Sequence, residues 1–523
     1  MANRIVSLLV CISIGLFAGC DREQQQEPER PNIIYIYADD LGYGELGVYG
    51  QEKIETPNID ELARGGMIFT QHYTGTPVCA PARYNLLTGK HSGNSYIRAN
   101  SNRPTPEGFS FDNFENRYEA FFEHPEIEGQ RAIPAETITV GDVLQQAGYR
   151  TAAIGKWGNG GPWTEGHPNR QGFDYFYGYL DQRMAHTYYP THLWENEERI
   201  ILDNELVDPH QDLPEDADPY DPASYAKFHD QPDYSAELMH VEALRFIEEN
   251  YNNPFFLYLP TPIPHVALQA PQRWIDYYRE KFGDEEPYIT GTYVPVRYPN
   301  ATYAAMISYL DEQVGEIVDK LKELGIYDNT LIMFSSDNGP TTAGGVDPEY
   351  FDSAAPFQNL SGRVKGHLYE GGIRMPMIAT WANRIEPGSN TDHLSAQWDV
   401  LPTLAEAAGV TPPEGIDGIS FLPVLLGNEG DQECHDYLYF EFPQRGYGGQ
   451  QAVRMGKWKG IRTEIISEGN LEIELYNLEE DIRELHNVAG ENPDIVREME
   501  RIMEIEHTEP ELEIFRMQAL YDK

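Results

Sequence analysis

The chain has 523 residues, 40% hydrophobic and 12% aromatic, enough for a large core plus a smaller one and too apolar to be read as disordered. Its 38 basic and 85 acidic residues leave a formal net charge of −47, which repels nucleic acid and anionic membrane surfaces and excludes both as partners; an anionic substrate needs a locally positive site. The four cysteines, Cys11, Cys20, Cys79 and Cys434, exclude a disulfide framework, since the first two lie in or at the end of an apolar leader.

The leader is Arg4 followed by the apolar run Ile5 to Phe17 and then Ala18-Gly19-Cys20. A basic start and a short apolar run predict a signal peptide, too short to span a membrane. Small residues before a cysteine resemble a bacterial lipoprotein cleavage box, with Phe17 where leucine is usual. The resemblance implies a signal peptide over residues 1–19, an acylated Cys20 as lipid anchor, and export to the periplasm or cell surface. Residues 20–30 then form a polar tether with nothing to bury.

Asn32 to Ala38 is a continuous β-prone run and predicts a buried parallel strand with Asp39-Asp40 at its C-terminal end. Thr56-Pro57-Asn58 opens a helix with Leu62, Ala63 and Met67 on its apolar side. Val140 to Ala147 reads as a helix and Tyr149 to Ile154 as a strand ending at Gly155-Lys156. Residues 200–234, rich in Asp and Pro, read as a surface loop. Phe255 to Leu259 is a strand running into Pro264-His265. Tyr303 to Leu324 has helical spacing and stops at Gly325, and Thr330 to Phe334 is a strand ending in Asp337-Asn338-Gly339.

Alternating strands and helices predict an α/β fold with a large, mostly parallel sheet over residues 31–420. Polar residues gather just past the strand ends, where open α/β sheets bind ligands. Beyond residue 420 the runs Tyr437 to Phe442, Ala452 to Arg462 and Leu471 to Asn477, then a charged helix from Pro493 to His507, predict a small C-terminal domain (421–523) of antiparallel sheet plus helix.

Adjacent carboxylates at a strand end repel one another unless a cation sits there, and Asp39-Asp40 with Asp337-Asn338 offer oxygen ligands suited to calcium, with magnesium as the alternative. The stretch Cys79-Ala80-Pro81-Ala82-Arg83, followed by Leu87-Thr88-Gly89-Lys90, resembles the signature of the formylglycine-dependent sulfatases. Around it, in the family's order, stand Asp39-Asp40, Gly155-Lys156-Trp157, Pro264-His265, Asp337-Asn338-Gly339 and the segment from Lys365-Gly366-His367 to Arg374-Met375-Pro376.

The resemblance covers roughly residues 31–420 and implies an alkaline-phosphatase-like fold and a sulfuric ester hydrolase. It implies that a maturation enzyme oxidises Cys79 to formylglycine, whose hydrate attacks sulfur and then expels sulfate by re-forming the aldehyde. It implies metal ligation by Asp39, Asp40, Asp337, Asn338 and residue 79. Arg83 is implied to hold the hydrate, Lys156 and Lys365 to bind sulfate, and His265 to contact sulfate and help protonate the leaving oxygen. If a helix begins at Cys79, the spacing of four places Arg83 on the same face.

One position departs. The family's Gly-Lys-Trp-His-Leu-Gly reads Gly155-Lys156-Trp157-Gly158-Asn159-Gly160 here, so the histidine that serves as base is missing. His91, His167 and His186 are candidates to replace it. The stretch Gln182 to Pro190 looks like a branch that includes carbohydrate sulfatases, which makes Arg183 and His186 candidate sugar contacts and a sulfated carbohydrate the expected substrate. Two rivals stand beside that reading: a phosphodiester or phosphonate monoester hydrolase of the same superfamily, and a non-catalytic surface protein that binds sugar.

Overall fold

The computed structural model describes residues 30–520. The leader, Cys20 and most of the tether lie outside them. Among the described residues, no helix is long and apolar enough to cross a membrane.

Eleven strands form the main sheet: β1 (Asn32–Ala38), β2 (Met67–Tyr73), β3 (Arg150–Lys156), β4 (Tyr175–Tyr179), β5 (His192–Glu195), β6 (Glu198–Ile201), β7 (Phe255–Leu259), β8 (Thr330–Ser336), β9 (Arg374–Thr380), β10 (Ser389–Thr391) and β11 (Ser395–Ala396). Their order is β10-β2-β9-β8-β1-β7-β3-β4-β5-β6, with β11 also paired to β2. The run β8-β1-β7-β3-β4 is parallel throughout. Strand β9 is antiparallel to both of its neighbours, and β5 is antiparallel to β4 and β6.

Side-chain alternation explains why the central strands are apolar at every position. Ile33, Tyr35 and Tyr37 of β1 enter one core, while Ile34, Ile36 and Ala38 enter the other. Strand β8 divides in the same way, with Leu331 and Met333 against Ile332 and Phe334. The first core is closed by helices Pro57–Arg64, Ser235–Asn250 and Pro299–Glu323, the second by Cys79–Thr88, Val140–Gln146 and Val400–Ala407. Met67 is not on the first helix as expected. That helix stops at Arg64, and Gly65-Gly66 turn the chain into β2, where Met67 pairs with Ala379.

A second sheet of four antiparallel strands follows: β12 (Leu438–Phe442), β13 (Gln450–Met455), β14 (Trp458–Arg462) and β15 (Glu474–Asn477). The run expected over Ala452 to Arg462 is a hairpin, turned by Gly456-Lys457 with Gly456 at φ 53°. One face of this sheet packs Met499, Ile502 and Met503 of helix Pro493–Glu506. The other places Phe440, Phe442 and Ile461 against Tyr73, Val78, Leu368 and Trp398 of the large unit.

Buried charge also crosses this junction. Arg98 donates to Glu441 Oε1 at 2.8 Å, and His507 Nδ1 lies 2.6 Å from Glu441 Oε2. Burial alone would raise the Glu441 pKa; Arg98 and His507 outweigh it and bring it down to about 2. A carboxyl depressed on folding adds stability above its unfolded value, about 4.3, and loses it as pH falls towards 2. The urea midpoint is therefore expected to drop over that window, and Arg98→Leu to lower the neutral-pH midpoint and flatten the acid limb. Parallel acid limbs for the two proteins would show that the pair is not coupled to folding.

Candidate active site

Each expected catalytic or metal-ligating residue, Asp39, Asp40, Cys79, Arg83, Lys156, His265, Asp337, Asn338 and Lys365, sits at or just beyond a strand end on one edge of the parallel sheet, or on the loop and helix facing it. Asp39 and Asp40 follow β1, Asp337 and Asn338 follow β8, Lys156 ends β3, and His265 lies on the loop after β7. Cys79 is the first residue of helix Cys79–Thr88, and Pro81 falls in the first turn, where its missing N–H costs nothing. Arg83 follows one turn later, and all ten residues of this helix are buried.

Cys79 Sγ lies 3.1 Å from Asp39 Oδ1, 3.6 Å from Lys156 Nζ and 3.8 Å from Lys365 Nζ. Lys156 pairs with Asp39 at 2.5 Å and Lys365 with Asp40 at 2.6 Å. The Arg83 guanidinium spans Asp337 at 2.9 Å and Asp39 at 3.2 Å, and it donates to the Lys156 carbonyl. Asp337 Oδ1 accepts the Asp40 N–H at 3.0 Å, which holds Asp40 in the left-handed region at φ 68°.

The charge states follow from this packing. Burial opposes the ionised form of Asp39, but Lys156, His265 and Arg83 outweigh it and hold the carboxyl far below its usual range. Burial raises Asp40 and Asp337, with the charge of Asp39 adding to both. Lys365 is held well above its ordinary value by Asp40 against the effect of burial, and Lys156 is raised by Asp39 in the same way. Burial, then Asp337 and Asp39, push the Cys79 thiol well above its normal pKa. An unmodified Cys79 is thus a protonated and poor nucleophile.

Donor atoms of Asp39, Asp40, Cys79 and His265 all lie within 4.8 Å of one another, an arrangement able to hold a metal ion. Asn338 Oδ1 points the same way: it is buried without a hydrogen-bond partner, while its Nδ2 donates to Asp40 at 2.7 Å. Asp337 Oδ2 accepts from both Nε and Nη2 of Arg83 and Oδ1 accepts the Asp40 N–H, so Oδ1 keeps a lone pair. His265 enters this group although the sequence marked it for sulfate rather than metal. Its Nδ1 donates to the Val266 carbonyl, leaving Nε2 as an acceptor 3.8 Å from Asp40 Oδ2. Burial, Lys156 and Lys365 keep its pKa well below the usual histidine value.

Arg183 does not reach the cluster. It is held by Asp181, also buried, and lies over the Phe121 ring. His186 is stacked on His265, ring centroids 5.4 Å apart. His91 instead faces Asp417 and Glu506, and His167 contacts the Asn196 carbonyl, so neither stands near Cys79. A Cβ at Gly158, which has φ 78°, would meet Gln182 Oε1 at 3.6 Å and Ala80 Cβ at 3.9 Å. Gln182 Oε1 is itself buried without a partner, and Gln182, though it opens the stretch that runs to Pro190, was given no role from the sequence.

A buried cluster of two lysines and an arginine, carboxylates able to hold a cation, and a side chain poised at a helix start at the edge of a doubly covered α/β sheet are the parts of a metal-assisted ester hydrolase. Comparison with known proteins gives the particular family. The sulfatase family model matches residues 31–410, and a second model, for the C-terminal region of N-sulphoglucosamine sulphohydrolase, matches residues 364–509. The chain belongs to the sulfatase family, and it is a sulfuric ester hydrolase.

An N-acetylgalactosamine-6-O-sulfatase of Bacteroides thetaiotaomicron is 28% identical over 96% of this chain and 98% of its own length. Human arylsulfatase A is 30% identical over 87% of this chain and 77% of its own. Among solved structures, Ps i-CgsB is 27% identical with a TM-score of 0.70, covering 92% of this chain and 94% of that one. The phosphonate monoester hydrolase of Agrobacterium radiobacter shares the fold, with a TM-score of 0.60 at 19% identity over 91% and 95% of the two chains.

A cation that binds the folded site and not the unfolded chain stabilises by about 2.7 kcal/mol at a hundredfold excess over Kd. Calcium titrated into chelator-treated protein is expected to raise the thermal midpoint. Asn338→Ala is expected to shrink that rise, while Asn85→Ala, away from the cluster, leaves it. Equal midpoints with calcium and with chelator would remove the metal from the site.

Proposed function

We propose that the chain is an exported carbohydrate sulfatase that works through a formylglycine formed at Cys79 by a separate maturation enzyme, with calcium as its resident ion. The observation that carries this reading is the placement of Cys79 Sγ between two lysine ammoniums, 3.6 and 3.8 Å away, over the Asp39-Asp40 carboxylates. Lys156 and Lys365 supply fixed positive charge for a sulfate group, in a buried setting where water competes little. Arg83 anchors residue 79 from one turn below and neutralises Asp337. The donors are mainly hard oxygens, which supports calcium, with magnesium as the competitor. When bound, the cation adds positive charge for sulfate oxygens, and the hydrated formylglycine supplies the attacking hydroxyl.

A sulfated sugar is supported by relatives such as the N-acetylgalactosamine-6-O-sulfatase and by Ps i-CgsB, whose structure is also known with k-i-k-neocarrahexaose. Export and a lipid anchor at Cys20 rest on the leader residues alone. Replacing Cys20 by Ala is expected to release the protein from the membrane fraction, and an unchanged distribution would remove the anchor.

Intact-mass analysis after co-expression with a formylglycine-generating enzyme is expected to show Cys79 converted. Turnover of position-defined sulfated monosaccharides, 6-sulfated N-acetylgalactosamine first, should fall at least about a thousandfold in Cys79→Ala. Faster turnover of aryl phosphate diesters than of aryl sulfates would favour the phosphoester reading. A Cys79 that stays a thiol, with sulfated sugar bound but not hydrolysed, would favour the binding-protein reading.

A further inference from the structure

Beside the cluster that holds Lys156 and Lys365 stands a group of rings, two of which, His210 and Tyr293, no sequence motif marked. His186 stacks on His265 with an interplanar angle of 15°. His210 meets His186 edge to face at 5.1 Å, and their nitrogens are 3.0 Å apart. The Tyr293 ring lies 5.3 Å from His186, 5.0 Å from His210 and 6.2 Å from His265. His210 is exposed and His186 and Tyr293 are half-buried, so the rings line a surface rather than fill a core.

Backbone pairing holds this group in place. The Leu213 N–H donates to the Ile289 carbonyl, the Gly291 N–H to Asp212, and Tyr288 bridges to Val296. His210 Nδ1 donates to the Thr292 carbonyl, which only accepts. In the neutral ring this leaves His210 Nε2 as an acceptor. His186 Nδ1 therefore donates to it, and His186 Nε2 is left as an acceptor. Tyr293 stands close enough to Lys365 and Asp40 to sense their charges.

We propose that Tyr293 and His210, together with His186, form the wall against which the sugar ring of the substrate lies while its sulfate sits between Lys156 and Lys365. A sugar ring presents C–H faces that pack on aromatic surfaces and hydroxyls that donate to a bare imidazole nitrogen. The wall leads directly from His265, which touches the carboxylate cluster, to solvent at His210. That is the direction in which the alcohol part of a sulfate ester must project once its sulfate is buried. The assignment rests on the carbohydrate sulfatase reading above and adds the specificity-determining residues to it.

The test compares two substrates on the matured, metal-loaded full chain: a sulfated monosaccharide that the wild type turns over, and a small aryl sulfate. His210→Ala and Tyr293→Ala are expected to cut kcat/KM for the sugar about tenfold more than for the aryl sulfate, mainly through KM, with Tyr293→Phe retaining most of the wild-type sugar activity. Equal losses on both substrates, or sugar kinetics that do not change, would overturn the wall. Calorimetric binding of the sulfated sugar to Cys79→Ala provides a readout independent of turnover. Adding His210→Ala should weaken that binding, and unchanged affinity would also overturn the proposal. A wild type inactive on every sulfate ester, whose sugar binding still depends on His210, would sink the sulfatase reading while leaving the wall in place.

Discussion

Asp39, Asp40 and Asp337 are buried side by side at the ends of β1 and β8. Each would cost several kcal/mol to remove from water if left unpaired, and they repel one another. Their neutralisation organises the rest of the site. Arg83, Lys156 and Lys365 arrive from a helix, a strand end and a loop that are far apart in sequence, and each ion pair fixes one of those segments against the sheet. The Cys79–Thr88 helix is held in register because Arg83 must reach Asp337 from one turn inside it. Three carboxylates here face three side-chain cations. A divalent ion held by those carboxylates would leave the two lysines with charge to spare for an anion, so one arrangement would serve both the fold and the proposed recognition of sulfate.

The second sheet completes that arrangement. Lys365 lies on a loop with no regular structure, and the C-terminal strands clamp it. Gln450 of β13 donates to the Gly366 carbonyl and accepts from the Leu368 N–H, while Gly366 itself donates to the Pro77 carbonyl, just before the Cys79–Thr88 helix. Gly366 has φ 87°, and a side chain there would run into the Tyr447 ring, so the close approach requires glycine. Lys459 of β14 lies buried between Glu370 and Glu484, and Glu370 also binds Arg374 at the start of β9. Loss of the small sheet would therefore disturb the position of Lys365, the lysine proposed to bind sulfate, as well as expose apolar surface.

Much of this was legible in the sequence because the central strands are short apolar runs that end in charged residues. Asp39, Lys156 and Asp337 could be placed on strand ends from local pattern alone, and the Cys79 motif supplied its own helix start. The boundary at Met67 was not legible, since an apolar residue four positions after Ala63 fits a helix as well as the strand that two glycines actually begin. Strand β9 was missed because its residues read as the tail of the Lys365 segment, and its antiparallel insertion depends on contacts with β2 and β8. His210 and Tyr293 carried no signal. One lies in an Asp- and Pro-rich loop and the other in an irregular stretch, and only the pairing of those segments brings them to His265.

Gly158 sharpens the chemistry of the remaining step. The space a side chain would enter from that position is faced by Gln182, whose Oε1 is buried and unpaired. An amide accepts a hydrogen bond but takes no proton at neutral pH, so Gln182 can orient a hydroxyl and cannot deprotonate one. His91 and His167 are committed elsewhere, to Asp417 and Glu506 and to the Asn196 carbonyl. His186 reaches the cluster only through the His265 ring. Among the histidines the sequence put forward, His265 alone turns an unprotonated nitrogen towards the carboxylates around residue 79. Its Nδ1 is tied to a backbone carbonyl, and burial together with the neighbouring lysines keeps the ring neutral. A neutral imidazole held in that tautomer presents a lone pair to the cluster, able to accept a hydrogen bond or to join the group that could hold a cation.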